Sequence, residues 1–236
     1  PVSYYKEKNI MAKNKGKDIN DINVGEVYTK TEQFVDNNSK ALTYIIGGAA
    51  ILIIGVIGLK SLVLDPANTK AEEAIFTAEH YFSKDSIDLS LYGDGFSEGL
   101  VDIIENHGGT YAASRASYQV GIANRDLGKY EEAIEAFKNV DLSDDVIAPY
   151  ALTGIGDCYT ELGDYNSAEG YFEDAADLAD NGLANAVIAP SIHYKRAIVL
   201  IELGRTSEAK DELSHIVSDH PNSRYKTTAE ALNATL

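Results

Sequence analysis

The chain has 236 residues, a formal net charge of −17, 44% apolar residues and a single cysteine, a length that suits one moderate domain plus additional segments. The charge is uneven: residues 1–40 hold seven lysines against six acids, whereas residues 65–236 hold twelve Lys and Arg against thirty-one acids. So acidic a domain repels phosphate backbones, which argues against nucleic acid as a partner, and Cys158 alone offers neither an intramolecular disulfide nor a cysteine metal cluster.

Residues 1–10 precede Met11-Ala-Lys-Asn-Lys, which reads as an ordinary start; they fit an over-extended gene model or a processed end. Residues 12–23 are polar and expected to be mobile. Apolar residues at 24, 27, 28, 34 and 35 fit a short amphipathic helix over Val24–Phe34, leading towards the apolar run that begins at Ala41.

From Ala41 to Leu59 the sequence is ALTYIIGGAAILIIGVIGL, without a charge, bracketed by Lys40 and Lys60. At the helical rise this run covers about 28 Å, one hydrocarbon core, and Ser61–Leu64 can extend it. Its glycines at 47, 48, 55 and 58 suit a membrane helix better than a soluble one. The apolar run exceeds a signal-peptide core and no small-x-small cleavage site comes after it, so a retained signal anchor is expected. Lys13, Lys15 and Lys17 in the tail, against the acidic remainder, favour a cytoplasmic N-terminus. The expected organisation is a tail over 1–40, a transmembrane helix over 41–64 and a soluble domain over 65–236.

The domain begins with an atypical pair of helices. Ala71, Ala74, Ile75, Ala78, Tyr81 and Phe82 share one helical face, Phe96, Leu100, Ile103 and Ile104 another, and Gly108-Gly109 ends the second. Asp85 or Ser86 is expected to cap a helix. Three segments then repeat one pattern: Leu127-Gly-Lys-Tyr-Glu-Glu-Ala133, Leu162-Gly-Asp-Tyr-Asn-Ser-Ala168 and Leu203-Gly-Arg-Thr-Ser-Glu-Ala209, at intervals of 35 and 41 residues. The Gly ends a first helix in a left-handed conformation, the aromatic packs between helices, and the Ala lets them approach. Phe137 and Val140, Phe172 and Ala175, and Leu213 and Ile216 continue the second helices, while Gly121, Gly156 and Ala197 are small residues at helix crossings. Thr206 replaces the aromatic in the third unit, where looser packing is expected. The longer interval implies about seven extra residues around Leu178–Ala189, as a lengthened helix or a loop. Pro149 and Pro190 are placed in first turns, Pro221 stops a helix, and Ser223–Leu236 supplies a capping helix.

This pattern resembles the tetratricopeptide repeat. The expected fold is all-α: a single transmembrane helix followed by a tetratricopeptide-type α-solenoid of about four helical hairpins. With the anchor, and with Glu79–Phe96 (EHYFSKDSIDLSLYGDGF) and Tyr111-Ala-Ala-Ser114, the chain over about residues 24–236 resembles the YfgM-like family of Gram-negative bacteria, in a form typical of Bacteroidota. That resemblance implies a periplasmic repeat domain on an inner-membrane anchor. It also implies an accessory subunit of the Sec translocon, associated with SecYEG and a membrane-anchored chaperone of the PpiD type, that receives or shelters newly exported chains.

Motifs for catalysis do not stand out. His80, His107, His193, His215 and His220 are scattered in the sequence, and Asp85, Asp88 and Asp94 miss calcium-loop spacing. Glu72-Glu73 and Glu131-Glu132 fall on helix surfaces by periodicity, Cys158 sits in an apolar helical pattern as a structural thiol, and no cofactor or metal is expected. Binding through shape is the remaining expectation. Helix register places Arg115, Tyr118, Ile122 and Arg125, then Tyr150, Thr153 and Asp157, then Tyr194, Ile198 and Ile201 along a concave groove. The alternative, that several of these pack on a neighbouring helix, stays open at this stage. So do a free-standing tethered holdase and an envelope-assembly scaffold as alternatives to the translocon subunit.

Overall fold

The computed structural model describes residues 24–182 and 185–236, and the chain divides between Leu59 and Lys60 into two units. The expectations for residues 1–23, a start at Met11 and a mobile polar stretch, lie outside the described residues.

In the first unit, α1 (Val24–Leu59) is one helix of 36 residues, so the amphipathic segment over Val24–Phe34 leads into the apolar run without a break. Among the described residues, one helical stretch, near the N-terminus, is long and apolar enough to cross a membrane. Its apolar window has a mean hydropathy of 2.4 and contains no buried residue. A core helix of the same composition would be covered. Here Ile45, Leu52 and Ile54 are each about two-thirds exposed or more, which in water would be strongly unfavourable.

The second unit is all-helical among the described residues. A π-helical turn (Lys60–Leu64) precedes α2 (Asp65–Ser83), α3 (Ile87–Tyr92), α4 (Leu100–Asn106), α5 (Tyr111–Asp126), α6 (Tyr130–Lys138), α7 (Ile147–Glu161), α8 (Tyr165–Asn181), α9 (Asn185–Glu202), α10 (Thr206–Asp219) and α11 (Lys226–Asn233). The pairs α5/α6, α7/α8 and α9/α10 form antiparallel hairpins; first helices also touch across repeats, α2 to α5, α5 to α7 and α7 to α9.

The hairpin turns arise from the repeated Leu-Gly step. Gly128, Gly163 and Gly204 all have φ between 72° and 78°, where a side chain would be strained. Each turn closes with the same pair of bonds: Gly128 N–H to Arg125 O (2.9 Å) and Lys129 N–H to Asn124 O (2.8 Å), with equivalents at 163/164 and 204/205. Downstream, Ala133, Ala168 and Ala209 are fully buried. Phe137 and Phe172 fill the crossings where Gly121, Gly154 and Gly156 leave room, because a Cβ at any of the three would meet a ring atom at 2.5–2.7 Å. Pro149 falls in the first turn of α7, Pro221 lies just beyond α10, and α11 caps the end with Ala229 buried against the last hairpin.

Three expectations need correction. The second helix of the first pair, expected to carry Phe96, Leu100, Ile103 and Ile104 on one face, begins only at Leu100 as α4. Phe96 lies in a turn over residues 93–99 and is 99% exposed, and α3 is a further short helix before that turn. The cause is local: Gly93 and Gly95 have positive φ, and the Asp94 carboxylate accepts bonds from the amides of Phe96 (2.9 Å) and Ser97 (2.8 Å) and from the Tyr81 hydroxyl (2.9 Å). Asp94 therefore organises a turn, and Ser86 at the start of α3 makes no side-chain cap. Asp85 instead takes a left-handed backbone, at φ 60°. Pro190 lies inside α9, since that helix begins five residues earlier at Asn185. The extra residues of the longer interval go into helix: α8 has 17 residues where α6 has nine.

Candidate partner-binding groove

First helices α5, α7 and α9 line a groove of about 590 Å³, to which the segment before α11 also contributes. Five of the ten residues expected there meet in it: Tyr118 and Arg125 from α5, and Tyr150, Thr153 and Asp157 from α7. Tyr118 packs at a tilt against Phe137, with ring centroids 5.9 Å apart. Burial pushes its phenol pKa up, against the opposing charge of Arg125, so it stands as a neutral hydrogen-bond donor. Tyr150 is exposed, whereas Thr153 is buried and returns its hydroxyl to Pro149 O at 2.7 Å.

The other five do not line this space. Arg115 turns to the first hairpin, where Glu72 (2.9 Å) and Glu79 (3.0 Å) fasten α5 to α2. Ile122 packs into the core beneath. Tyr194 packs on Tyr225, with ring centroids 5.4 Å apart, Ile198 is over a third exposed away from the groove, and Ile201 is half-buried on the same side of α9. Sequence reasoning missed Ser191, Lys195 and Arg224. The first two were findable: they come 41 residues after Tyr150 and Gly154, the interval that separates the two Leu-Gly steps. Arg224 comes from the terminal segment, where no repeat register applies.

These additions change the character of the groove. The lining holds one carboxylate, Asp157, and three cations, of which Arg125 also pairs with Asp126 at 3.0 Å outside the lining. Lys195 Nζ reaches Asp157 at 2.7 Å and Arg125 reaches it at 3.9 Å; the Arg224 guanidinium lies 4.9 Å from the Tyr225 ring centroid. A cationic, tyrosine-lined groove thus sits in a strongly anionic domain. Such a surface suits an extended polypeptide segment with a carboxylate: aromatic faces take its apolar side chains and the cations take the charge.

Two family models, each described as tetratricopeptide repeat, match the chain. One covers residues 114–144 and 149–181, the other residues 193–223, so the matches fall on the three hairpins α5/α6, α7/α8 and α9/α10. A search of curated proteins returned no match. The repeats make this chain a protein–protein interaction module, of an architecture that is typically non-enzymatic.

Two other groups complete the chemistry of the domain. Cys158 is fully buried, and burial pushes its thiol up to about 11, which keeps it protonated and unreactive at neutral pH. The histidines are not all scattered in space. His193, His215 and His220 gather at the junction of α9 and α10, with ring centroids 4.3–6.4 Å apart.

Proposed function

We propose that this protein is a non-enzymatic accessory subunit of the SecYEG translocon, working beside a PpiD-like membrane-anchored chaperone. In this reading residues 1–40 are cytoplasmic, residues 41–64 span the inner membrane and residues 65–236 form a periplasmic domain that holds a partner subunit or a newly exported chain. The carrying observation is the cationic, tyrosine-lined groove between α5, α7 and α9 in a chain that also has a helix able to cross a membrane. The translocon itself is supported by the likeness of the anchor-plus-repeat organisation, and of Glu79–Phe96, to the YfgM-like family. The lysines of the tail support the orientation.

The test is a pull-down of the full chain from membranes in mild detergent, read by mass spectrometry. SecYEG subunits and a PpiD-like protein are expected; their consistent absence overturns the assignment. A second reading, a tethered holdase, is favoured by one observation: every residue lining the groove belongs to the repeat unit and none to the span. Exchanging α1 for an unrelated transmembrane helix separates the two. A translocon subunit loses its partners, whereas a holdase still suppresses aggregation of an unfolded client.

A further inference from the structure

The histidine cluster lies away from the groove. On α9, His193 is two positions from each of the groove residues Ser191 and Lys195, which turns it to the opposite side of the helix. Its ring, 6% exposed, is held between two carboxylates: Nδ1 is 2.6 Å from Glu212 Oε2, and Nε2 is 3.2 Å from Asp180 Oδ1. Glu212 is fixed in turn by Arg196 Nη1 at 2.9 Å. His215 Nε2 lies 3.3 Å from Asp219, while its Nδ1 is buried and has no hydrogen-bond partner among the described residues. His220, 93% buried, likewise has an unpartnered Nε2 among the described residues. Two orphaned imidazole nitrogens side by side are costly unless something else occupies them.

We propose that Asp180, His193 and His215 form a zinc(II) site that ties α8, α9 and α10 together. One ligand atom from each of Asp180, His193 and His215 lies within 4.8 Å of the other two. Tetrahedral zinc, with bonds of about 2.0–2.2 Å, spaces its ligands about 3.4 Å apart. The Asp180–His193 pair at 3.2 Å already has that spacing; the third ligand, within 4.8 Å, closes by a side-chain movement of up to about 1.4 Å. The supporting shell is also in place. Glu212 accepts from His193 Nδ1 and leaves Nε2 for the metal, and Asp219 holds His215 Nε2 and leaves Nδ1. Nitrogen and carboxylate donors without a thiolate suit Zn²⁺ over Mg²⁺ or Ca²⁺, which take oxygen sets. The ligands come from three helices of two successive repeats, so bound metal brings the third repeat, where Thr206 replaces the packing aromatic, against the second.

The probe is Zn²⁺ titrated into the untagged full chain in detergent, read by calorimetry and thermal unfolding, with Co²⁺ as a spectroscopic reporter of tetrahedral coordination. One equivalent of Zn²⁺ is expected to bind saturably and raise Tm, and Co²⁺ to give intense visible bands. Asp180→Asn and His215→Ala are each expected to weaken binding at least about 10-fold, while His80→Ala, outside the cluster, does not. Asp180→Asn keeps size and hydrogen-bonding capacity, so circular dichroism establishes that it is folded. Absence of saturable one-to-one binding by the wild type overturns the proposal. So does binding that folded Asp180→Asn leaves unchanged.

Discussion

Phe137 shows how single residues set the repeat geometry. Its ring is 1% exposed and lies against both Gly121 of α5 and Gly154 of α7, so a side chain at either glycine has nowhere to displace it. Gly121→Val is therefore expected to destabilise the domain by about 3 kcal/mol, measured by denaturant unfolding of the full chain in detergent. Gly170 is the contrasting case: it lies within α8 and a Cβ there meets nothing within 4 Å. Gly170→Ala should stabilise the same transition by about 1 kcal/mol, the helix-propensity difference. Asp94 acts through its charge. The amides of Ser97 and Phe96 and the Tyr81 hydroxyl hold its pKa below the ordinary value of 3.8. A carboxylate lowered in this way stabilises the fold above its unfolded pKa, and that contribution disappears as pH falls through the lower folded value. An NMR titration should thus show the Asp94 carboxyl protonating below pH 3.8, with loss of the Phe96 and Ser97 amide shifts of the folded turn. Asp94→Ala should remove those shifts at every pH.

Between elements, the joint of α8, α9 and α10 rests on Arg196. Its guanidinium reaches Glu169 (2.9 Å), Glu173 (2.7 Å) and Glu212 (2.9 Å), and Arg196, Glu169 and Glu212 are all 15% exposed or less. Removing the cation leaves Glu212 to His193 (2.6 Å) and Glu169 to Arg205 (3.1 Å), so Arg196→Ala should cost about 2 kcal/mol, the loss of charge-assisted bonds without a stranded acid. Arg196→Lys should recover only part of this, since an ammonium lacks the planar fork that meets three carboxylates. Denaturant midpoints of the two variants check both statements. This joint also marks how far sequence reasoning reaches. The hairpins were legible because one backbone requirement, a left-handed glycine after the first helix, recurs with a buried alanine five residues later. Nothing comparable announces the histidine cluster, whose members lie 22 and five residues apart and meet only because α9 and α10 pack together. The late start of α4 was hidden for a different reason. Bonds accepted by the Asp94 carboxylate hold Phe96 and Ser97 in a turn where apolar spacing alone suggested the start of the helix. In the groove the register held for Tyr150, Thr153 and Asp157 on α7 and for Tyr118 and Arg125 on α5, but not for Arg115 and Ile122. It failed on α9, where Tyr194 was chosen in place of the stripe through Ser191 and Lys195.

Across the whole molecule, charge has two opposing ranges. At low salt the acidic domain repels an anionic partner over the Debye length of roughly 30 Å, a reach cut to about 8 Å at physiological salt, while Arg125, Lys195 and Arg224 attract a carboxylate once it is inside the groove. Lys195 and Arg125 are engaged with Asp157, so the exposed Arg224 is the cation best placed to meet an incoming charge. A labelled tyrosine- and leucine-containing peptide with a free C-terminal carboxylate should bind the full chain about 10-fold more tightly than its amide, the value of one charge-assisted bond. Fluorescence anisotropy measures both. Arg224→Glu should erase that preference with only a small effect on thermal unfolding, because the side chain is exposed and its contact is with the neighbouring Tyr225. Raising salt from about 10 mM to about 150 mM shortens the Debye length from roughly 30 Å to 8 Å. Long-range repulsion is then screened before the short contacts in the groove are. Association of the carboxylate peptide should accelerate over that interval, whereas a groove in a cationic domain would slow.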